Sequence, residues 1–284
     1  MRPESVLLKT IIAGLALGLT WASSAVAAPE RVVSVNLCTD QLAMLLARPG
    51  QLVSVSHLAA DPTVSLMRSE TDGLTINHGL AEEIFRLDPD LVVAGKYTTR
   101  ATVNLLRRLG KRVEEFDPAN SFDEIAENTL RMGALLGREE VADRLVRDMH
   151  LDLKALQSVQ DDVERPVLGS YGSSSYTSGS GTLESDIVDK TGFRHLGDEI
   201  GIKGTTRLPL EALILANPDY LMIWKRDLKN RSRAAAVLSH PALDARFGEE
   251  RRLSADTRYW ICGTPLTVDA IRLLRNARAG SKGQ

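Results

Sequence analysis

The chain has 284 residues, of which 25% are charged, 43% apolar and 5% aromatic, and its formal net charge is −2. These proportions are typical of a globular protein and exclude a disordered, collagen-like or disulfide-rich chain. The charged residues are mixed along the sequence without a basic stripe, so binding to DNA or RNA is not expected. The length accommodates one large domain or two modest ones.

The N-terminus predicts a cleavable export signal. Basic residues precede an apolar run at residues 11–19, and Ala25-Val26-Ala27 forms an A-x-A cleavage site. The apolar run is shorter than the ~20 residues of a membrane-spanning helix, so a retained anchor is the less favoured alternative. A lipoprotein would need a cysteine just after this run, but the first cysteine is Cys38. We therefore predict a signal peptide at residues 1–27 and a soluble, exported product.

The two cysteines, Cys38 and Cys262, lie near opposite ends of the predicted mature chain. In an oxidising compartment an even pair most often forms a disulfide. In the chain-entropy model, a bond that closes so long a loop contributes roughly 5 kcal/mol. Two buried, unpaired thiols are the alternative. Metal ligation is less favoured, because no histidine pair lies nearby in the sequence.

The first half of the mature chain alternates short apolar runs with helical patterns, which predicts an N-terminal α/β lobe at residues 28–137. The runs are continuous and rich in β-branched residues, as is typical of a parallel sheet covered on both faces. The last helix of this half begins with Ser121 and Glu124 at the spacing of a capping box. We predict strands at 31–35, 52–56, 91–95 and 112–116, and helices at 39–47, 80–87, 100–109 and 121–136.

One long amphipathic helix is predicted at residues 138–161, where apolar residues recur every three or four positions. Pro166 ends this connecting helix, and α/β alternation resumes in a C-terminal lobe at residues 162–284. In that lobe we predict strands at 166–171 and 220–224, and helices at 183–191, 208–216, 231–238 and 265–277.

An internal repeat relates the two lobes. Residues 82–94 read EEIFRLDPDLVVA and residues 211–223 read EALILANPDYLMI, so Glu82 and Glu211 each stand seven positions before a Pro-Asp pair. Each copy predicts a short helix opened by an acid, a turn and an apolar strand. The helix dipole favours an acid at this position and is an alternative reason for both glutamates. Two similar lobes joined by one helix are the simplest architecture with this repeat.

These features together resemble the periplasmic substrate-binding proteins of ABC importers, in the class whose two lobes are joined by a helical backbone. The resemblance rests on the leader, the repeat, the long helix and the opening RVVSVNLCTDQLAMLLA, and it covers residues 30–278. It implies an α/β fold of two Rossmann-like lobes with parallel sheets and a ligand cleft between them. It also implies a monomer in the periplasm that docks transiently on an inner-membrane permease and has neither enzymatic activity nor a catalytic cofactor.

The resemblance also implies which residues act. Glu82 and Glu211 would dock on arginines of the permease, one from each lobe. A disulfide between Cys38 and Cys262 is not a general feature of this family; it is a hypothesis from the positions of the two cysteines beside predicted cleft loops, and it would cross between the lobes near the hinge and limit their opening. Ligands of such lobes bind in the crevice beyond the strand ends, where aromatic and basic side chains suit a ring-shaped or anionic chelate. The predicted ligand-binding residues are His57, Asn77, His78, Lys96, Tyr97, Tyr171, Tyr176, Trp224, Lys225, Arg258, Tyr259 and Trp260.

Plain structural alternatives accompany several of these predictions. Trp224 could cover the edge of a core, Arg258 could be a solvated surface charge, and the Gly/Ser-rich segment at 170–182 could be a flexible loop. His57 and His78 are isolated in the sequence, which gives no support for a metal site.

The sequence favours a binding protein of an importer over an enzyme or a carrier that takes no part in transport. The sequence contains no G-x-S-x-G, P-loop or H-E-x-x-H pattern, so catalysis is not favoured. The expected cargo is a ferric complex (siderophore or haem) or a corrinoid such as cobalamin. A carrier of haem or metal that takes no part in transport is the alternative function.

Overall fold

Two parallel sheets, one in each half of the chain, organise the computed structural model, which describes residues 27–157, 165–224, 227 and 232–281. Residues 1–26 of the predicted signal peptide and the predicted ligand-binding residue Lys225 lie outside the described residues. Within those ranges, no helix combines the length and the apolar character needed to cross a bilayer.

The N-terminal lobe is a five-stranded parallel sheet with helices on both faces. Its strands are β1 Val32–Ser34, β2 Leu52–Ser56, β3 Thr75–Asn77, β4 Leu91–Gly95 and β5 Val113–Phe116; its helices are α1 Leu37–Leu46, α2 Ala81–Arg86, α3 Arg100–Arg108 and α4 Phe122–Leu136. The strand order is β3-β2-β1-β4-β5. Successive residues of a strand point to opposite faces, so Val32 packs in the core beneath α1 and α4 while Val33 packs beneath α2 and α3.

The connecting helix, α5, spans Glu139–Gln157 and is about 28 Å long. Ala142, near its start, packs in the core of the N-terminal lobe, whereas Met149 and Leu153 pack in the core of the C-terminal lobe. Helix α4 also spans both cores: Ile125 lies in the C-terminal core and Met132 in the N-terminal one. Helix α5 therefore joins the two lobes as predicted, and α4 contributes side chains to both cores as well.

The C-terminal lobe is a four-stranded parallel sheet in the order β11-β10-β6-β8, accompanied by an antiparallel pair, β7 and β9. Its strands are β6 Val167–Tyr171, β7 Tyr176–Ser178, β8 Arg194–His195, β9 Thr205–Arg207, β10 Tyr220–Trp224 and β11 Arg252–Ala255. Its helices are α6 Leu183–Asp189, α7 Leu196–Glu199, α8 Leu210–Ala216, α9 Pro241–Arg246, α10 Arg258–Ile261 and α11 Val268–Ser281.

The sequence repeat corresponds to a structural one. The carboxylate of Asp90 accepts the backbone N–H of Glu30 at 2.7 Å, just before β1, and that of Asp219 accepts the N–H of Val167 at 2.7 Å, where β6 begins. Each aspartate thus ties the beginning of its own strand to the beginning of the neighbouring parallel strand. The residues before the two prolines, Asp88 and Asn217, are both left-handed, with φ of 46° and 43°. Both copies of the repeat therefore form the same turn.

Short elements account for most differences from the sequence prediction. Strands β3, β7, β8, β9 and β11 have two to four residues each and were not predicted. The predicted helix at 231–238 is wrong over the part that the structure describes, which contains turns and a 3-10 helix at Ala236–Ser239.

Candidate ligand-binding site

Two contacts join the loops at the carboxyl ends of the two sheets. Because each sheet is parallel, its strands all end at one edge. Arg258, which follows β11, donates from Nη1 to the carbonyl oxygen of Pro62, beyond β2, at 3.2 Å. Cys262, also beyond β11, forms a disulfide with Cys38 in the first turn of α1. These two links join the loops at the strand ends, where open α/β sheets bind their ligands.

The N-terminal wall of the cleft is built at the point where the order of strands reverses. Asn36 follows β1 and accepts the backbone N–H of Cys38 at 3.0 Å, which caps α1. A Cβ at Gly95, the last residue of β4, would lie 2.8 Å from the Asn36 side chain, so the glycine permits this close approach. The neighbouring strands β1 and β4 thus end beside each other at the switch point of the sheet.

A cavity of about 240 Å³ opens at this switch point and reaches the C-terminal lobe through Ile261 and Gly263. Lys96 and Tyr97, two of the predicted ligand-binding residues, line it on the loop after β4. Tyr97 is 83% exposed, and the Lys96 ammonium lies 2.5 Å from Asp117. The hydrogen bond to Asp117 raises the pKa of Lys96, so this amine stays charged.

Trp224 lines a second recess, of about 420 Å³, at the carboxyl edge of the C-terminal sheet. The recess also contains Tyr176, so it has two of the predicted aromatic residues. Ser174 and Ser175 lie in the loop between β6 and β7 with φ of 58° and 63°, a left-handed conformation that costs energy for residues other than glycine. The remaining lining residues are Ser173, Ser174, Thr205 and Asp227.

Arg258 is held between the lobes. Its guanidinium donates to both carboxylate oxygens of Asp256, at 2.7–3.1 Å, besides its bond to Pro62. The hydrogen bond to Asp256 raises the pKa of Arg258 further. Tyr259 and Trp260, on α10, are half-buried and pack against the C-terminal core.

His57 and His78 come together although they are distant in the sequence. They follow the adjacent strands β2 and β3, and their rings stack with centroids 5.4 Å apart and planes at 17°. Nδ1 of His78 lies 3.4 Å from Glu83. Among the described residues, no group of three or more histidine, cysteine, aspartate or glutamate side chains is arranged to hold a metal ion.

Two of the predicted ligand-binding residues are inside the lobes. Tyr171 is fully buried, and its hydroxyl donates to the carbonyl oxygen of Leu208 at 3.0 Å. Burial raises the pKa of this phenol. Asn77 is 1% exposed, and its amide donates to the Ser34 carbonyl and the Ser54 hydroxyl. Both side chains stabilise the ends of their strands and offer no surface to a ligand in this structure.

Several residues that line the first cavity or contact Arg258 were not predicted from the sequence. The loop after β5, with Asp117, Pro118 and Ala119, lines the first cavity and follows a strand that was predicted. The expectation that ligands bind beyond strand ends would have found this loop. No sequence pattern indicated Pro62 or Asp256, because each takes part only through its hydrogen bond with Arg258.

A family model described as "periplasmic binding protein" matches residues 32–253. The chain belongs to the periplasmic binding protein family. A Halobacterium salinarum protein named "cobalamin-binding protein" is 26% identical over 197 residues, which are 68% of this chain and 53% of that protein. A Bacillus subtilis protein named as an uncharacterized ABC transporter substrate-binding lipoprotein is 24% identical over 203 residues, 68% of this chain and 63% of that one. The chain thus spans about half to two thirds of the length of these relatives, which are named as binding proteins and not as enzymes.

Solved structures of this family share the fold. The apo form of the periplasmic haem-binding protein RhuT from Roseiflexus sp. RS-1 has a TM-score of 0.75 and 21% identity, covering 89% of this chain and 98% of that one. The periplasmic vitamin B12 binding protein BtuF of Vibrio cholerae has a TM-score of 0.67 and 19% identity, covering 90% and 99%. At these identities the similarity shows the fold: two α/β lobes with parallel sheets and a helical backbone.

Proposed function

We propose that this protein is the substrate-binding component of an ABC importer, and that it captures an iron complex (siderophore or haem) or a corrinoid such as cobalamin. The observation that supports this most directly is a cavity beside Tyr97 at the carboxyl edge of one sheet and a second recess beside Trp224 and Tyr176 at the carboxyl edge of the other. Aromatic rings offer rigid apolar area to a large ring-shaped ligand, whereas the charge of Lys96 is already paired with Asp117. The names of the relatives agree with such cargo.

A thermal-shift panel tests the cargo. We expect one class among cyanocobalamin, cobinamide, haemin, a ferric hydroxamate and a ferric catecholate to raise the unfolding midpoint. At 100 times its dissociation constant, a ligand adds ~2.7 kcal/mol to the free energy of unfolding. The iron-free chelates serve as controls for each ferric complex. If no compound shifts the midpoint, this cargo assignment is wrong.

Export to the periplasm through cleavage after Ala27 belongs to the same proposal. The family is periplasmic by description, and the A-x-A pattern gives the cleavage position. The exported protein would be a monomer that docks only transiently on the permease.

Glu82 and Glu211 are the residues that we propose for docking on the permease. Both are exposed, and each lies in the first turn of the helix of its repeat copy, α2 or α8. Equivalent acids on two similar lobes suit a partner with two-fold symmetry, because each lobe then makes the same contact.

Charge reversal tests this docking role. We expect Glu82→Lys/Glu211→Lys to lower uptake in cells by roughly tenfold or more, since each lobe exchanges an attractive contact for a repulsive one. Affinity for the ligand found in the panel should not change. Glu140→Lys is the matched control, because Glu140 is also an exposed acid in the first turn of a helix and so has the same helix-dipole energy to lose. Normal uptake by the double variant would show that these acids do not dock, and would favour a carrier of haem or metal that takes no part in transport.

A further inference from the structure

A buried carboxylate lies directly behind the indole of Trp224. Glu184, in the first turn of α6, is 5% exposed, and its Oε2 accepts the indole N–H at 3.0 Å. Its Oε1 accepts the hydroxyl of Ser178 and lies 3.6 Å from Nε2 of His195. Burial by itself would raise the pKa of this carboxyl, but the nearby His195 and the hydroxyls of Ser170 and Ser178 outweigh burial and lower the pKa, so Glu184 is ionised.

The row of polar groups continues from Glu184 through His195 to the exposed acid Asp198. His195 is 4% exposed, and its Nδ1 lies 3.5 Å from Asp198, so the imidazole stands between two carboxylates. Asp198 in turn accepts the hydroxyl of Ser185 at 2.6 Å. Burying the ionised Glu184 carboxylate is costly, and an apolar residue of the same volume would fill its space without that cost. The buried acid therefore points to a geometric role towards the group that it binds at the recess, the Trp224 indole.

The Trp224 ring is fixed at two opposite edges. A Cβ at Gly172 would lie 2.4 Å from Cζ3 of the ring, so the six-membered edge rests against the bare backbone of this glycine. Nε1, on the five-membered edge, is bound to Glu184. A contact at each edge leaves little freedom in either side-chain torsion, and the ring lines the recess in one orientation.

We propose that Glu184 is a positioning residue for the ligand site: it orients the Trp224 indole as a preformed surface for a flat, conjugated ring ligand, and the hydroxyl of Ser178 holds the Glu184 carboxylate in place. The class of ligand rests on the function proposed above, whereas the control of the ring by Glu184 does not. An indole that is already ordered saves the free energy that would otherwise be spent on ordering it when the ligand binds. Its face then stacks on a planar ligand.

The test uses the full-length chain with Trp21→Phe and Trp260→Phe, which leaves Trp224 as the one tryptophan. Glu184→Met removes the acceptor and keeps most of the volume, while Glu184→Gln keeps an acceptor oxygen. Asp186→Asn is the matched control, because it removes a half-buried acid from the same helix. The Asp186 carboxylate accepts the backbone N–H of Phe122 and pairs with Lys190, and these contacts do not involve Trp224. Time-resolved anisotropy should show a rigid indole in the parent, Gln and Asn proteins, and a new fast local motion in Glu184→Met.

Affinity is the second readout. Affinity is compared in protein that keeps Trp260, since this residue is itself predicted to bind ligand. We expect Glu184→Met to bind haemin or cyanocobalamin roughly three- to tenfold more weakly than wild type, the loss expected when one side chain must be ordered on binding. The Asn control should bind as wild type does. A rigid indole in Glu184→Met, or a mobile indole with wild-type affinity, would overturn the proposal. If neither compound binds the wild-type protein, the proposed cargo fails, while the anisotropy still decides whether Glu184 positions the ring.

Discussion

Replacing both Cys38 and Cys262 by serine is expected to lower the free energy of unfolding by roughly 5 kcal/mol. The disulfide joins residues 224 positions apart, so it constrains almost the whole mature chain in the unfolded state. It also joins the first turn of α1 in one lobe to the loop after α10 in the other. Because native proteins are stable by only ~5–15 kcal/mol, this is a large fraction of the total.

Urea unfolding of the oxidised protein and of the double variant measures this effect. Each single variant, Cys38→Ser or Cys262→Ser, should resemble the double variant, since either substitution removes the bond. Wild-type protein that has been reduced and alkylated should behave in the same way. Equal midpoints for the oxidised protein and the double variant would contradict a stabilising disulfide.

Raising the pH from 4.5 to 7.5 is expected to lower the free energy of unfolding by about 2 kcal/mol through the deprotonation of Asp40. This residue of α1 is fully buried, and its carboxylate accepts the backbone N–H and the hydroxyl of Ser56. Burial raises its pKa from 3.8 to about 6, although hydrogen bonds from Ser34 and Ser56 act in the opposite direction. Between these two values the native state holds a proton that the unfolded state has lost, so the stabilisation is present at low pH and disappears as the pH rises through about 6.

Asp40→Asn isolates this contribution, because an asparagine at this position does not titrate. The difference in free energy of unfolding between wild type and Asp40→Asn should shift by about 2 kcal/mol in favour of the variant between pH 4.5 and 7.5. Urea titrations at intervals of half a pH unit measure it. A difference that stays constant across this range would show that Asp40 keeps its ordinary pKa.

The fold could be predicted from the sequence where the local signals were strong. The strands at 52–56 and 91–95 are short runs rich in valine and begin and end as predicted. Helix α4 has both of its boundaries encoded locally, in the Ser121 cap and in the left-handed Gly137 at its end. Strand β8 has two residues, and such a strand exists because a neighbour pairs with it, so no local pattern could predict it.

In the candidate site, too, local sequence patterns predicted some features, while others depend on tertiary contacts. Lys96, Tyr97 and Trp224 could be placed at the cleft because they follow apolar strands, and strand ends share an edge. The partners of these residues could not be predicted, since Glu184 is 40 positions from Trp224 and meets it only through tertiary packing. Tyr171 shows the opposite failure: it ends a strand as Trp224 does, yet its side chain points into the core. Sequence position gave the edge of the sheet but not the direction of each side chain.

The most direct test of the account is a crystal structure of the exported protein with the compound that gives the largest thermal shift. We predict one ligand between the carboxyl ends of the two sheets, in contact with the loop after β4 on one lobe and with the Trp224 ring on the other. A ligand bound on the outer surface of a single lobe, away from both loops, would contradict the assignment of the cleft as the binding site.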